Sequence, residues 1–373
     1  MLNNLKRNLS NLPGWRTNRH IIVIESDDWG SIRMSSKENF ESLKKGGLNV
    51  DKDHYNSNDA LESNSDLELL MELLSKHKDA HGKNVVFTGV NVVANPNFNK
   101  IKENGFSKYE YELFTDTCKS YPKHDRVYDL WKEGIEQRLL VPEFHGREHL
   151  NVQRWMKALQ KGCKATHLAF EYGVTGISSG INGEQIEGYQ AAFDIDYLED
   201  VNYQKEVLQT GLNYFEELYG YRATFFVPPN GPFNNSLETV VKNEGINYLS
   251  TGKIQLEPLG NNQFKKHFRY LGKKNNDGLI YMTRNAFFEP NSWEHSQSKD
   301  WVNDCLKEIE IAFRWRKPVT ISSHRTNYIG WINPENRSNG LNKLNELLKR
   351  ILKKWPDVEF MTSSELGNLM TQK

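Results

Sequence analysis

The sequence predicts an α/β fold in which parallel strands alternate with helices. Short runs of apolar, often β-branched residues recur along the chain, and stretches with apolar residues at helical spacing lie between them. Strands that alternate with helices pair in parallel through right-handed crossovers, in either an open doubly wound sheet or a closed barrel. In both architectures the active site lies at the carboxyl ends of the strands. The residues that follow each strand are therefore the candidates for function.

One folded domain is expected from the 373 residues of the chain. Barrels of this kind commonly reach ~250 residues and exceed ~400 with insertions. Residues 1–19 are predicted to form a polar N-terminal lead-in, and residues 20–373 the single domain with its loop insertions. The sequence contains no internal repeat and no stretch that resembles a linker between two domains.

Composition limits the classes of partner. The 48 basic and 48 acidic residues cancel, so no net field favours nucleic acid or an anionic membrane, and no local basic patch is evident. No run approaches the ~18 apolar residues of a membrane span, and the first residues are too polar for a signal peptide. We therefore expect a soluble, cytoplasmic protein. Three distant cysteines, Cys118, Cys163 and Cys305, favour neither a disulfide framework nor a zinc–thiolate site.

In the first half of the chain, the strand predicted at 20–26 contains the apolar run Ile21-Ile22-Val23-Ile24. The helix that follows has apolar residues at helical spacing and Ser65 or Asp66 as its expected cap. The remaining elements are predicted as a helix at 66–77, a strand at 84–90, helices at about 108–119 and 125–138, a strand at 139–145, and a helix that begins near Asn151.

The second half continues the alternation. A strand at about 165–171 precedes a Gly-rich loop at 173–188 and a long helix at 197–219. The later elements are predicted as strands at 222–227, 246–250, 279–285 and 318–323, helices at 235–244, 299–315 and 340–354, a short strand at 358–361, and a C-terminal helix.

The first strand ends in two adjacent carboxylates, Asp27 and Asp28. Two ionised carboxylates on neighbouring residues repel each other, and water or a nearby cation relieves that repulsion. Capping of a loop or helix is the alternative role, because Asp is a favoured cap. A cation site is predicted only if other strand ends supply further ligands.

The third strand ends with two histidines, His145 and His149, that stand four residues apart. If this stretch is helical, both imidazoles lie on one face with β-carbons roughly 5–6 Å apart. Two histidines and one aspartate suffice as the protein ligands of a catalytic zinc ion, with a fourth position left for water. A pair of surface histidines is the alternative, but their place at a strand end favours a metal site with Asp28.

Two later strand ends are also polar. Pro228 and Pro229 stiffen the loop after the strand at 222–227 and leave the amide of Asn230 free to donate, as an oxyanion hole requires. A plain turn explains this loop equally well. The strand at 318–323 ends at His324, which can act as a general acid near neutral pH, although most single histidines are structural.

The four polar strand ends, taken in their order along the chain, resemble the motifs of the polysaccharide deacetylase family, carbohydrate esterase family four, and of the wider group of deacetylase-like (β/α)7 barrel proteins. The resemblance runs from residue 20 to about 326. It implies a distorted, seven-stranded TIM-like (β/α) barrel. The matching stretches are the paired aspartates Asp27 and Asp28, the metal-binding His145 and His149, the proline loop 226–231, and the strand end 322–324.

The resemblance also implies roles. Asp27 would be the general base that takes a proton from the attacking water, and His324 would protonate the departing amine or alkoxide. The Asn230 amide would help to bind the oxyanion. A divalent metal ion, most simply zinc although such ligands accept several first-row ions, would be held by Asp28, His145 and His149.

The chain departs from the family pattern in two places. Family members carry an arginine before the prolines and a tyrosine after them, where this chain has Val227 and Asn230. That arginine normally holds the base aspartate, so another arginine would have to replace it; the candidates are Arg325, Arg284 and Arg147. The family's aspartate–tryptophan motif has no clear copy, and Asn285 to Trp293 is the nearest stretch.

The expected substrate contacts are Trp29, Pro229 and Arg325. Aromatic rings stack against sugars, although core packing accounts for most aromatic residues in a domain. Trp29 and one further aromatic residue are predicted to contact a sugar, the second being one of Tyr172, Phe233, Trp293 and Trp331.

These observations predict a metal-dependent hydrolase that removes acetyl groups from an N-acetylated sugar or polysaccharide by attack of an activated water. One alternative is a non-catalytic carbohydrate-binding relative, which the missing arginine favours. Another is a metal-dependent amidohydrolase that acts on a non-carbohydrate amide. A cytoplasmic location would favour a sugar precursor or a lipid-linked glycan as substrate. The sequence leaves the sugar, the metal used in the cell and the oligomeric state open.

Overall fold

A parallel sheet organises the chain, which a computed structural model describes at residues 2–181, 183–292 and 299–372. The strands in chain order are β1 (Ile21–Trp29), β2 (Phe87–Val92), β3 (Ala94–Pro96), β4 (Tyr111–Leu113), β5 (Leu140–Gly146), β6 (Phe225–Phe226), β7 (Tyr248–Ser250), β8 (Ile254–Gly260), β9 (Gln263–Phe268), β10 (Ile280–Met282), β11 (Ala286–Phe287), β12 (Val319–His324) and β13 (Glu359–Met361).

Helices fill most of the connections between the strands. They are α1 (Leu2–Ser10), α2 (Lys37–Lys45), α3 (His54–Asn58), α4 (Asn64–Ser75), α5 (Phe98–Glu103), α6 (Phe114–Lys119), α7 (Val127–Glu136), α8 (Val152–Gln160), α9 (Lys164–Glu171), α10 (Asp200–Tyr219), α11 (Glu238–Asn243), α12 (Trp301–Arg314), α13 (Pro334–Lys354) and α14 (Ser363–Thr371). Within the described ranges, no helix is both long and apolar enough to cross a bilayer.

The strands of the main sheet run in the order β10-β7-β6-β5-β2-β1-β12-β11, and every pairing is parallel. The short strand β13 also pairs with β1, through the first residues of β1. Two antiparallel pairs, β3–β4 and β8–β9, lie outside this sheet. All strand ends that carry the predicted site residues therefore point to one edge.

The sheet curls into a barrel with a gap between its two outermost strands. Those strands, β10 and β11, are consecutive in the chain and are joined only by Thr283, Arg284 and Asn285. Because a chain spans at most ~3.3–3.6 Å per residue, the two edges of the sheet must lie close together. The predicted distorted (β/α) barrel is confirmed. Its order holds eight strands where seven were expected, and two of them, β6 and β11, are two residues long.

Strand β1 is buried on both faces, as expected for a central parallel strand. Ile22 and Ile24 pack in the large core formed with the helices. Ile21 and Val23 pack instead with residues of β6, β7 and β10 in a smaller core. Because successive side chains of a strand face opposite sides, this division separates the helix layer from the barrel interior.

Three predicted elements differ from the structure. Residues 165–171, predicted as a strand, form helix α9, because the buried residues Ala165, Ala169 and Phe170 recur at helical spacing. Residues 108–119 hold β4 and α6 in place of a single helix. Helix α4 begins at Asn64, earlier than predicted, because Ser63 and Asp66 form a capping box.

Other differences concern where elements begin or end, and elements that were not predicted. Strand β1 continues past residue 26 to Trp29, so both aspartates belong to the strand. Helix α13 begins at Pro334, where the side chain of Asn333 caps it. The predicted polar lead-in contains helix α1, and the antiparallel β8–β9 pair had no counterpart in the prediction.

Candidate active site

Asp27 and Asp28 both line a cavity at the carboxyl end of the sheet, although neighbouring residues of a regular strand face opposite sides. The backbone of Asp28 has a φ of 79°, and the register of β1 against β2 shifts between Ser26 and Trp29. Such a bulge re-aims a side chain, and positive φ is uncommon for any residue other than glycine. The strained conformation at Asp28 lets two consecutive carboxylates share one cavity.

The side chain of Asp28 meets those of His145 and His149. Asp28 Oδ1 lies 3.3 Å from His145 Nε2 and 3.1 Å from His149 Nε2. One ligand atom from each residue lies within 4.8 Å of the others, and all three residues are buried. The helix considered for this stretch is absent: His145 belongs to β5, and His149 follows in a loop after Gly146, which has a φ of 125°.

The hydrogen bond of His145 determines which ring nitrogen carries the proton. His145 Nδ1 donates to the carbonyl oxygen of Val227 at 2.7 Å, and a carbonyl can only accept. The other ring nitrogen, Nε2, therefore faces Asp28 Oδ1. A histidine whose Nδ1–H is held by a backbone carbonyl while Nε2 is directed at the site is typical of metal ligands.

His149 and Asp28 are in the protonation states that metal ligands require. Burial lowers the pKa of His149 to about 4, against the attraction of Asp28, so its ring is neutral at pH 7. Burial opposes the charge of Asp28, but His149, His145 and Arg33 hold the pKa of this carboxyl well below its usual value. The buried Nδ1 of His149 has no hydrogen-bond partner among the described residues.

Arg284 holds Asp27, which separates the role of Asp27 from that of Asp28. Its Nη1 and Nη2 donate to the two carboxylate oxygens of Asp27 at 2.7 and 2.6 Å, and its Nε donates to Glu25 at 2.5 Å. Burial opposes ionisation of Asp27, but Arg284 lowers the pKa of this carboxyl below its usual value. The bidentate contact orients the carboxylate, as the family's missing arginine was expected to do.

Neither of the other two candidate arginines reaches Asp27. Arg147 donates to Glu148 at 2.6 Å and lies over the ring of Tyr111. Arg325 is completely buried and donates to Asp59 and Glu62, each at 3.0 Å.

His324 has a carboxylate partner that the sequence did not indicate. Its Nδ1 donates to Glu289 Oε1 at 2.6 Å, and its Nε2 lies 3.9 Å from Asp27 Oδ2. Burial disfavours the charged ring, but Glu289 raises the pKa of His324 to about 10. The imidazole is therefore protonated at neutral pH, with Nε2–H directed toward the same part of the cavity as Asp27.

The three predicted substrate contacts do not reach the cavity, and this corrects the sequence-based expectation. Trp29 is completely buried, donates to Ser26 and packs edge-on against Trp131. Arg325 is held by its two carboxylates in the interior. Pro229 is buried, whereas the neighbouring Pro228 lines the cavity. In each case the side chain satisfies a packing or charge requirement of the core.

The remaining aromatic candidates also lie elsewhere or outside the described residues. Phe233 is completely buried, and Trp331 packs against the core and donates to the carbonyl of Ser35. Tyr172 is a partly buried residue that packs against the same core. Trp293, and with it the end of the stretch considered as an aspartate–tryptophan motif, lies outside the described residues.

Asn230 is in the cavity wall, as expected for an oxyanion donor. Its φ is 56°, its side chain is exposed, and its backbone N–H makes no hydrogen bond within the described residues. A short turn holds the loop, because Gly231 N–H donates to the carbonyl of Pro228.

The sequence missed two residues between β1 and α4 that line the same cavity. Arg33 lies 3.6 Å from both Asp28 and Asp59, and its guanidinium stands 5.4 Å above the ring of Tyr55. Tyr55 in turn packs edge-on against His324. No local pattern marks either residue, because their partners come from distant segments.

The cavity has a volume of about 720 Å³, within the usual range for sites that bind small molecules. Neutral polar side chains form part of its wall, beside charged residues such as Arg7, Lys253 and Glu308. The neutral residues are Tyr55, Gln190, Asn230, Ser250, Thr251, Asn285 and Ser322.

No protein-family model and no curated protein matches the chain. Solved structures with a similar course include a putative polysaccharide deacetylase from Mycobacterium smegmatis, with 10% identity, a TM-score of 0.46, and coverage of 96% of this chain and 92% of that chain. A probable polysaccharide deacetylase from Pseudomonas aeruginosa PAO1 has 10% identity, a TM-score of 0.46, and coverage of 94% and 91%. Puue allantoinase has 12% identity, a TM-score of 0.48, and coverage of 96% and 93%. Two of these structures carry the family description that the sequence motifs resemble, but likeness at this level does not establish a family.

Proposed function

We propose that the chain is a metal-dependent hydrolase that removes an acetyl group from an N-acetylated sugar or polysaccharide. The observation that carries the proposal is the meeting of two sets of residues in one cavity. Asp28, His145 and His149 offer ligands for a cation, and beside them an oriented carboxylate, Asp27, faces a protonated imidazole, His324.

A divalent metal ion fits the three ligands. Two imidazole nitrogens and one carboxylate oxygen form a ligand set of catalytic zinc. The bond from His145 Nδ1 to the carbonyl of Val227 leaves Nε2 directed at Asp28, the orientation of a metal-bound histidine. When bound, such an ion polarises an acyl carbonyl and lowers the pKa of water.

The charges around the site also fit a divalent cation. Contacts connect three arginines, His324 and six carboxylates in one network. The six carboxylates outnumber the four cationic side chains, and burial raises the pKa of Glu25 and of Asp59. Buried charge of this kind is costly unless it is paired or bound to a metal. The carboxylates are those of Glu25, Asp27, Asp28, Asp59, Glu62 and Glu289.

Asp27 is positioned to take a proton from the attacking water. Arg284 occupies one lone pair on each carboxylate oxygen, and each oxygen keeps another that can accept. Water attacks the acetyl carbonyl, a C–O bond forms, and the proton passes to Asp27. The Asn230 N–H donates to the oxyanion that develops.

His324 is positioned to protonate the leaving group. Its Nε2–H is held near Asp27 by the bond from Nδ1 to Glu289, so it can donate to the nitrogen that leaves. The C–N bond breaks as this proton is transferred, and the products are acetate and an amine.

Two features bear on the substrate and on the alternatives. The neutral amide and hydroxyl groups of the wall suit the hydroxyls of a sugar. The missing arginine favoured a non-catalytic relative. Arg284 makes the contact to Asp27 in its place. A non-carbohydrate amide would use the same residues, so substrate choice separates that alternative.

The test is acetate release from a panel of N-acetylated sugars and oligosaccharides, with N-acetylated amino acids as the non-carbohydrate arm. Release from the sugars that a chelator abolishes and added zinc restores is the expected result. Release confined to the amino acids would replace the substrate class. No release from either arm by the metal-loaded protein would contradict the proposal.

A further inference from the structure

Exposed apolar side chains concentrate on two elements beside the cavity mouth. In the described part of the chain, twelve large apolar side chains are exposed, and eight of them belong to α1 with the turn after it or to the β8–β9 hairpin with its flank. Phe268 is the most exposed of all, at 73%. The eight are Leu5, Leu9, Leu12, Ile254, Leu256, Phe264, Phe268 and Tyr270.

The hairpin presents its apolar side to solvent because its polar side is used in packing. Gln255 and Glu257 are buried and bond to Arg269 and His267. Residues directly opposite in an antiparallel pair share a face, so Ile254 and Phe268 lie together on the other side. An exposed apolar β face of this kind marks an interaction site.

Helix α1 and the hairpin form one continuous surface. A groove between them, of about 480 Å³, is lined by Leu9, Ile254, Phe268 and Tyr270 among others. The same groove shares Ser10, Lys253 and Asn285 with the candidate active site. The apolar surface therefore adjoins the cavity in which the proposed reaction takes place.

This surface is strongly basic in a chain with no net charge. We define the basic apolar surface as residues 5–12 and 253–274, which hold eight lysines and arginines and one acidic residue, Glu257. Six of the eight make no ion pair with a described residue. Lys266 lies opposite Leu256 on the exposed apolar face of the hairpin, and Lys6 and Lys274 are also exposed. The two segments are far apart in the sequence, which explains why the sequence alone showed no basic patch.

Of three possible binding partners, only one matches both the charge and the apolar groups of this surface. A second copy of the chain would place like charges against each other in a symmetric interface. Nucleic acid would satisfy the lysines but would leave Phe268 and its neighbours without an apolar environment. The surface of a bilayer with anionic lipids offers both negative headgroups and an apolar layer.

We propose that the basic apolar surface binds a bilayer that contains anionic lipids, with α1 and the hairpin at the depth of the headgroups. This arrangement holds the cavity mouth at the membrane. A lipid-linked N-acetylated sugar would then be reached at the bilayer surface, a consequence that rests on the proposed function. Binding to the bilayer itself requires neither metal nor activity.

The experiment is co-sedimentation of the full chain with phosphatidylcholine vesicles that contain about 30% phosphatidylglycerol, and with phosphatidylcholine alone. We expect binding to the anionic vesicles that weakens at about 0.5 M salt. The double variant Lys6→Glu/Lys266→Glu, at exposed positions of α1 and of the apolar hairpin face, should bind at least ~10-fold more weakly, because two attractions become repulsions. Phe268→Ser should also weaken binding.

Matched controls come from another face of the molecule. Lys349→Glu/Lys353→Glu on α13 makes the same charge change at exposed positions, and Leu69→Ser on α4 removes an apolar side chain that is 39% exposed. Both should bind like the unmodified chain. The His149→Ala variant should also bind vesicles normally, which separates this proposal from the hydrolase.

Two outcomes would overturn the proposal. One is equal binding of the unmodified chain and Lys6→Glu/Lys266→Glu to the anionic vesicles. The other is a dimer in light scattering that Phe268→Ser dissociates, together with no vesicle binding, which would assign the surface to a second copy.

Discussion

Asp27 and Asp28 are neighbours with different partners. Arg284 and His324 surround Asp27, whereas His145 and His149 converge on Asp28. The repulsion between the two carboxylates is offset because Asp27 faces the Arg284 guanidinium and Asp28 faces two imidazoles. Substitution of Asp27 is therefore expected to affect turnover, and substitution of Asp28 to affect metal retention.

Asp27→Asn should keep the metal and slow turnover by ~10²–10⁴-fold, the usual contribution of a positioned general base. Metal content and acetate release, measured on the same preparation, check this expectation. Asp28→Asn is the companion variant and should lose the metal. An unchanged rate in Asp27→Asn would remove this residue from the role of base.

Glu289→Gln should shift the alkaline limit of activity to lower pH. The proposed acid is His324 in its protonated form, so activity is present below the pKa of His324 and is lost as pH rises through it. Glu289 raises that pKa to about 10, and a neutral amide removes the attraction. The pH profile of kcat measures the shift. An unchanged alkaline limit would mean that His324 is not the titrating acid.

Some site residues were predictable because the signal is local. Asp27, Asp28, His145, His149 and His324 each follow a recognisable apolar run, and the strand-end rule brings them together. Arg284 was only one of three candidates, and Glu289 gave no signal at all. Both act through a partner that is distant in sequence, which no local pattern reveals.

At the scale of elements, the bulge at the end of β1 positions the two aspartates. Gly30 follows it with a φ of 77°, and a β-carbon there would lie 2.6 Å from the carbonyl oxygen of Val92. Gly82 has almost the same φ, 75°, but nothing within 4 Å of its β-carbon position. Comparison of Gly30 with Gly82 therefore separates the energetic cost of a strained backbone from the cost of a close contact.

Gly30→Ala should destabilise the chain and loosen the metal site, whereas Gly82→Ala should cost only the ~1–2 kcal/mol of a left-handed alanine. The additional clash at Gly30 should raise its cost above that of Gly82 by at least ~1 kcal/mol. Denaturant unfolding gives the free energies, and metal content reports the site. Equal costs with full metal retention would show that the bulge tolerates the substitution.

Elements with strong periodicity were predicted well, and those that depend on tertiary context were not. Helix α10 and strands β5 and β12 lie close to their predicted bounds. The stretch 165–171 is short and apolar, and such runs do not distinguish strand from helix. The first residues of β8 alternate exposed apolar with buried polar side chains, the reverse of the usual pattern, and β9 is exposed along almost its whole length, which hid the hairpin in the sequence.

At the scale of the whole molecule, the barrel gathers residues from distant segments of the chain into one cavity. Arg284 lies in the three-residue connection between the two outermost strands and reaches across to β1 through Glu25 and Asp27. Because the sheet curls, this connection brings Arg284 into the site at the gap between the two outermost strands. The fold class could be predicted from alternation alone, but this closure through an ion pair could not.

The central claim is that Asp28, His145 and His149 bind a catalytic metal ion, and the metal content of purified protein tests it most directly. The unmodified chain, loaded with zinc and dialysed, should retain about one ion, and His149→Ala should retain none, because a ligand is lost from a set of three. His167→Ala, on helix α9 and bonded to the carbonyl of Leu159, is the matched histidine control and should retain the ion. Full occupancy in His149→Ala would contradict the account.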